Sequence, residues 1–96
     1  MRVLIVDDDR ELAEALAGFV RECKHEVVAT VTGGGLPTIR SFARHQPDVV
    51  ILDVMMPKFN GFMVCQQLLS RDPRVKVVLI SGSVGSDYPS FATCKA

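Results

Sequence analysis

Hydrophobic and polar positions fall into two alternating patterns along the chain. Four short runs are apolar and rich in β-branched residues, which is typical of strands. These runs span 2–6, 26–31, 48–52 and 75–80. Between them, apolar residues recur every three or four positions, which predicts helices. The helices are predicted over 10–23, within 33–46 and over 62–71.

The apolar runs at 49–52 and 77–80 are continuous rather than alternating. Continuous apolar strands are typical of a parallel sheet that helices cover on both faces. Because strands and helices also alternate in sequence, we predict an α/β fold with a doubly wound parallel sheet. The last segment, FATCKA at 91–96, is predicted to begin a fourth helix.

Each predicted helix has one apolar face and a recognisable start. The residues predicted to face the core are Leu12, Leu16, Phe19, Val20 and Cys23, then Ile39, Phe42 and Ala43, then Phe62, Cys65, Leu68 and Leu69. Asp8 or Asp9 is expected to cap the first helix, and Asn60 the third. Pro37 fits the first turn of the second helix, where its missing N–H does no harm.

Length and charge narrow the class of protein. The chain has 96 residues, which suits a single domain over 1–96. Its formal net charge is zero, which argues against nucleic acid or an anionic membrane as a direct partner. Apolar runs are far shorter than the roughly 20 residues of a membrane span, and MRVLIVDDD does not fit a signal peptide. The three cysteines have no metal-binding spacing, so we expect reduced cysteines in a cytoplasmic protein.

Chemistry-bearing residues follow three of the predicted strands. Asp7 and Asp8 follow the first strand, Asp53 the third and Ser81 the fourth. In parallel α/β sheets the carboxyl ends of the strands meet at one rim, where ligands bind. Each residue alone could be a turn or helix-start residue. Together, however, the carboxylates would repel one another unless a cation lay among them. All-oxygen ligands of high charge suit Mg²⁺ or Mn²⁺.

Three motifs carry a resemblance to a known family. The segments VLIVDDD, DVVILDVMMPKFNG and VVLISGS resemble the receiver domain of two-component response regulators. The resemblance covers essentially the whole chain. It implies a flavodoxin-like sheet of strand order 2-1-3-4, with the fifth strand and helix missing from this chain. It also implies a phosphoacceptor domain that catalyses its own phosphotransfer and is not a turnover enzyme.

The resemblance assigns roles to individual residues. Asp53 would accept a phosphoryl group from a histidine kinase, a histidine phosphotransfer protein or a small acyl phosphate. Asp7, Asp8 and Asp53, with the backbone carbonyl of Met55, would hold Mg²⁺ (or Mn²⁺), and Asp8 would be the more direct ligand of the acidic pair. Ser81 would hydrogen-bond the phosphoryl group and act as the switch. Pro57 and Gly61 would fix the loop into the third helix.

The chain departs from the family pattern at its end. The family's fifth strand, its lysine and its fifth helix would lie beyond Ala96. Lys95 is not a credible replacement for that lysine. Lys58 could reach toward the site, but an exposed loop lysine is the favoured interpretation. We therefore expect a C-terminally incomplete receiver domain that self-associates through the uncovered surface of its fourth strand and helices.

Two other functions stay open. The first is a degenerate receiver-like module that mediates interaction or dimerisation without phosphorylation. The second is a phosphohydrolase with a strand-end aspartate nucleophile. Such enzymes commonly place a second acid two residues after the nucleophile, and here that position is the apolar Met55, which disfavours this alternative.

Overall fold

A five-stranded sheet forms the centre of the structure. The computed structural model describes residues 1–54, 60–81 and 90–94, with the backbone alone at Ser81 and at 90–94. The strands are β1 (Arg2–Val6), β2 (Glu26–Val31), β3 (Val49–Asp53), β4 (Lys76–Ser81) and β5 (Ser90–Cys94). The first four agree with the predicted runs to within one residue.

Strand order in the sheet is β2-β1-β3-β4-β5. The pairs β1–β2, β1–β3 and β3–β4 are parallel, which confirms the predicted parallel sheet of order 2-1-3-4. Parallel neighbours need a crossover connection, and the helices between the strands provide it.

Strand β5 corrects the prediction for the end of the chain. Residues 90–94 form a strand antiparallel to β4, with Ser81 opposite Ser90 and Val77 opposite Cys94. The predicted helix at 91–96 is therefore wrong, as is the expectation that β4 forms the sheet edge. The segment contains the β-favouring residues Phe91 and Thr93. Pairing with β4 satisfies the backbone groups on that side of β4.

Three helices lie in the described part of the chain: α1 (Arg10–Glu22), α2 (Gly35–His45) and α3 (Gly61–Arg71). Asp9 caps α1, where its carboxylate accepts the Leu12 N–H at 3.2 Å. Asn60 caps α3 as predicted, and its side-chain oxygen accepts two N–H groups of the first turn at 3.0 and 3.3 Å. Gly34 precedes α2 with a φ of 98°, a conformation that favours glycine.

The helix faces agree with the sequence only in part. The buried stripe of α3 consists of Gly61, Val64, Cys65, Leu68 and Leu69, which confirms three of the four predicted residues. The fourth, Phe62, falls outside this stripe and is 59% exposed. In α2, Phe42 is buried as predicted, Ile39 is half-buried and Ala43 is exposed.

The predicted inward face of α1 is confirmed at Val20, and Leu16 is half-buried against the same cluster, but the predictions for Phe19 and Cys23 are wrong. The buried residues of α1 are Ala13, Ala17 and Val20, and the small alanines let the helix lie close to the sheet. Phe19 is 64% exposed, and Cys23 is the exposed cap beyond the last helical residue. Ala13 and Ala17, which contact the sheet, were missed because the prediction counted only the larger apolar side chains.

Helices cover both faces of the sheet. Alternate residues of β1 point in opposite directions, so that Val3 and Ile5 pack against α1. Leu4 and Val6 belong to the larger core that contains Phe42 of α2 and the buried stripe of α3. Because each described helix follows a parallel strand, the N-terminus of each helix lies near the carboxyl ends of the strands.

The cysteines differ from one another. Cys65 is fully buried and disulfide-bonded, whereas Cys23 is a free, exposed cysteine. The prediction that all three cysteines are reduced is therefore wrong at Cys65.

Candidate functional site: an acidic cluster at the sheet rim

The register between β1 and β3 places two aspartates side by side. Val6, the last residue of β1, lies opposite Leu52, so Asp7 and Asp53 both come next along neighbouring strands. The Asp7 N–H donates to the carbonyl of Val31 at 3.0 Å, which continues the β1–β2 pairing past the end of the strand. Parallel pairing of these strands is thus what brings the two carboxylates together.

Three carboxylates converge at this point. Oxygen atoms of Asp7, Asp8 and Asp53 all lie within 4.8 Å of one another. Asp7 and Asp53 are buried, with exposures of 0% and 7%, whereas Asp8 is exposed. The convergence of these residues is as predicted from their positions after separate strands. The cluster has a buried floor, Asp7 and Asp53, and an open side at Asp8. We call Asp7, Asp8 and Asp53 the acidic cluster.

Asp7 has an unusual environment. Its Oδ1 accepts the Asp9 N–H at 2.9 Å, but its buried Oδ2 has no hydrogen-bond partner in the described structure. Burial, followed by the Asp53 and Asp8 carboxylates, raises the pKa of Asp7 from 3.8 to about 6, although the hydrogen bond from the Asp9 N–H acts in the opposite direction. The fold therefore holds a buried carboxylate whose charge is only partly compensated, by the Asp9 N–H.

The donor set fits a hard divalent cation. The acidic cluster offers three carboxylates that can each direct one oxygen to a common point. Hard ions such as Mg²⁺ take oxygen ligands and keep several waters, which suits a cluster whose Asp8 side is open. A cation at this position would also give the buried Asp7 Oδ2 a partner and offset the repulsion within the cluster.

A close backbone contact fixes the segment beyond Asp53. A Cβ added to Gly61 would lie 2.8 Å from the Cα of Val54 and 3.2 Å from the Asp53 carbonyl oxygen. The start of α3 can therefore approach the end of β3 only because residue 61 is glycine. From the sequence, Gly61 was predicted to fix the loop into the third helix, and this contact was not predicted. A glycine in the first turn of a helix, where it is unfavourable, was the available signal.

Several predicted site residues lie partly or wholly outside the described structure. Met55, Pro57 and Lys58 lie outside the described residues, as does Lys95. The backbone of Ser81 ends β4, one residue beyond the Ile80 that lies opposite Asp53. This places Ser81 at the same rim as the acidic cluster, and the hydroxyl itself lies outside what the structure describes. The roles of Met55 and Ser81 stay predictions.

A family model matches almost the entire chain. The model is that of the response regulator receiver domain, and it matches residues 3–93.

Among the described residues, no helix is long and apolar enough to cross a membrane.

Curated relatives of the chain are response regulators and chemotaxis proteins. The chain is 32% identical over 81 residues to the chemotaxis protein CheY of Listeria monocytogenes, with 84% of this chain and 67% of CheY covered. It is 40% identical over 79 residues to the sensory transduction protein RegX3 of Mycolicibacterium smegmatis, with 82% and 33% covered. The chain thus spans two thirds of one relative and a third of the other.

Solved structures share the fold. The response regulator TrrA of Thermotoga maritima, crystallised in complex with Mg²⁺–BeF, has a TM-score of 0.78 and 28% identity. The match covers 85% of this chain and 70% of TrrA.

Proposed function

Because the chain belongs to the response regulator receiver domain family, we propose that it is a phosphoacceptor signalling domain of a two-component system. The observation that carries this proposal is the acidic cluster, in which three carboxylates lie within 4.8 Å of one another and a buried oxygen of Asp7 has no partner in the described structure. A fold gains no stability from such a cluster, so a ligand best explains it.

Asp53 is the proposed nucleophile. A carboxylate oxygen of Asp53 attacks the phosphorus of a phosphohistidine or an acyl phosphate and forms a new P–O bond. The bond from phosphorus to the donor's nitrogen or oxygen breaks, and the leaving group departs with that electron pair. The product is an aspartyl phosphate. Because phosphoryl transfer requires mostly positioning and charge neutralisation, a rigid strand end suits the nucleophile.

Asp7, Asp8 and Asp53 would hold Mg²⁺, with Met55 as a further ligand through its carbonyl. The ion would supply positive charge that keeps Asp53 ionised and offsets charge on the phosphoryl oxygens. The Mg²⁺–BeF complex of TrrA supports this assignment, since that protein shares the fold at 28% identity. Asp7 contributes charge from the buried floor of the site, and Asp8 contributes it from the open side.

The proposed output is a change of partner rather than turnover of a substrate. A phosphoryl group on Asp53 adds charge and strong acceptors at the rim, where Ser81 would hydrogen-bond it. The phosphodonor would be a histidine kinase or a histidine phosphotransfer protein in the cytoplasm, and a second copy of the chain is a further partner. We propose one phosphoryl group per chain at most, because a single carboxylate accepts it.

Incubation with acetyl phosphate and Mg²⁺ tests the proposal. Intact-mass spectrometry should show one added phosphoryl group, which hydroxylamine removes and EDTA prevents from forming. Asp53→Asn should abolish the adduct. Asp9→Asn is the matched control, because it removes a neighbouring charge while asparagine still caps α1, so this variant should keep the adduct.

Three results would contradict the proposal. They are a folded chain without an adduct, an adduct that survives Asp53→Asn, and an adduct that forms equally well in EDTA. A folded chain that binds Mg²⁺ but accepts no phosphoryl group from acetyl phosphate or phosphoramidate would favour the non-phosphorylated interaction module instead.

A further inference from the structure

Among the strands that the structure describes, β5 is the last in the sheet, at the opposite end from β2. In the described residues, β5 pairs with β4 on one side and closes the strand order β2-β1-β3-β4-β5. We define the β5 edge as the backbone N–H and C=O groups of Ser90–Cys94 that point away from β4. Such groups can pair with any further strand. We propose that two copies of this chain associate by antiparallel pairing of their β5 edges.

The two edges of the sheet differ in how they discourage pairing. At the β2 edge, Glu26 forms a salt bridge of 3.0 Å with Arg2, and the β1–β2 register shifts between Val3 and Leu4. Charges and irregularities of this kind protect edge strands against pairing. The sequence of β5, SFATC, has no charged residue and no proline, and its register with β4 runs without a shift. The β5 edge lacks the features that protect the β2 edge.

A second copy is the occupant that the geometry favours. An antiparallel strand pair is its own complement under a two-fold axis, because each copy offers the same five residues in opposite directions. The formal net charge of the chain is zero, so two copies do not repel each other through their overall charge. A two-fold axis perpendicular to the sheet would create one continuous ten-stranded sheet from the two five-stranded ones.

The sheet face beside β5 supports the same arrangement. Ile51 of β3 lies opposite Val78 of β4, so both side chains point to the face on which α1 packs. Both are only half-buried, and the helix on this face, α1, packs mainly on β1 and β2. If the β5 edges of two copies pair, the half-buried Ile51 and Val78 of both copies lie on the same face of the ten-stranded sheet.

This proposal replaces the surface predicted from the sequence. Self-association was predicted through an uncovered β4, but β5 pairs with β4 along that edge. The β5 edge lies one strand further out than β4. The pairing does not depend on Asp53 or on a phosphoryl group, so the experiment below is done without a phosphodonor, and its failure would leave the proposed phosphotransfer untouched.

Sedimentation velocity over a range of protein concentrations measures the association. All variants carry Cys23→Ser, which prevents cross-linking through this exposed cysteine. The parent chain should form dimers reversibly. Thr93→Lys introduces a charge into the strand and should raise the dimer dissociation constant at least about tenfold, since lysine is a natural protector of edge strands. Thr93 lies opposite Val78 within the β4–β5 pairing.

Two matched variants separate edge pairing from other causes. Thr93→Val keeps β propensity without a charge and should leave the dimer intact or strengthen it. Phe19→Lys changes the most exposed large apolar residue of α1 and should leave the dissociation constant within about twofold. Circular dichroism and urea unfolding establish that each variant is folded. Hydrogen exchange of the parent chain gives an independent test, because protection of the 90–94 amides should increase with protein concentration.

Several outcomes would overturn the proposal. One is a parent chain that stays monomeric up to its solubility limit. Another is a dimer that a folded Thr93→Lys variant retains. A dimer that Phe19→Lys dissolves and Thr93→Lys does not would assign the interface to α1. If Thr93→Lys fails to fold, concentration-independent exchange at 90–94 in the parent chain decides against edge pairing.

Discussion

Replacing Asp7 with asparagine should stabilise the fold in the absence of a divalent cation. The amide keeps an oxygen that can accept the Asp9 N–H, as Asp7 Oδ1 does at 2.9 Å. It removes a negative charge that is buried beside Asp53. The same substitution should weaken the binding of Mg²⁺, because one of three carboxylates is lost. Stability and metal binding are therefore expected to change in opposite directions.

The magnitude follows from the pKa of Asp7. Burial and the neighbouring carboxylates raise this pKa from 3.8 to about 6. At about 1.4 kcal/mol for each pKa unit, the ionised carboxylate destabilises the folded state by about 3 kcal/mol. This cost is absent below pH 3.8, where folded and unfolded chains both hold the proton. It grows between pH 3.8 and about 6 and is complete above the folded-state pKa.

Urea unfolding in EDTA, at several pH values, measures this cost. At pH 7.5 the free energy of unfolding of Asp7→Asn should exceed that of the parent chain by about 2–3 kcal/mol. The difference should shrink towards zero near pH 4. Asp8→Asn is the matched control, since Asp8 belongs to the same cluster but is exposed, and its effect should be under about 1 kcal/mol.

Added Mg²⁺ should reverse the order of the two chains. Ligand binding stabilises the folded state according to concentration and affinity, so the parent chain should gain more than Asp7→Asn. The reasoning would be refuted if Asp7→Asn were less stable than the parent chain at pH 7.5 in EDTA. It would also be refuted by a difference that does not vary between pH 4 and pH 7.5.

Two further predictions concern the packing of α3 and the cysteines. Gly61→Ala should destabilise the fold by about 1–3 kcal/mol, because the new Cβ would lie 2.8 Å from the Cα of Val54. Gly18→Ala, in open space on α1, should instead stabilise it by up to about 1 kcal/mol in the same urea titration, and a stabilising Gly61→Ala would contradict the contact. Iodoacetamide without reductant should modify Cys23, which is free and exposed, and spare Cys65, which is bonded and buried. Peptide mapping that finds Cys65 alkylated in the folded, unreduced chain would argue against its disulfide.

The sequence predicted the parallel part of the fold because its signals are local and agree with one another. Continuous apolar runs such as 49–52 indicate covered strands, and Asn60 supplies both the sequence signal and the hydrogen bonds of a helix start. The predictions failed where a tertiary contact decides the outcome. Residues 91–94 form a strand because β4 offers an edge, and Phe19 is exposed because Ala13 and Ala17 make the closer contact.

The site was predictable in outline for a related reason. The identities of Asp7, Asp8 and Asp53 and the ends of their strands are visible in the sequence, and parallel pairing converts those positions into proximity. Distances and burial are not visible there. The unequal exposure of Asp7 and Asp8 depends on how the chain turns after β1, and the contact of Gly61 depends on the approach of α3 to β3.

The burial of β1 restricts the changes that this chain can accept in evolution. Leu4, Ile5 and Val6 are each 0% exposed, and neighbouring residues point to opposite faces of the sheet. One residue inserted or deleted between Arg2 and Val6 would exchange the two faces and move Asp7 away from Asp53. Length changes in the chain should therefore accumulate in surface turns, such as that between α1 and β2. The interval from Arg2 to Asp7 should keep its length even where its apolar residues are exchanged.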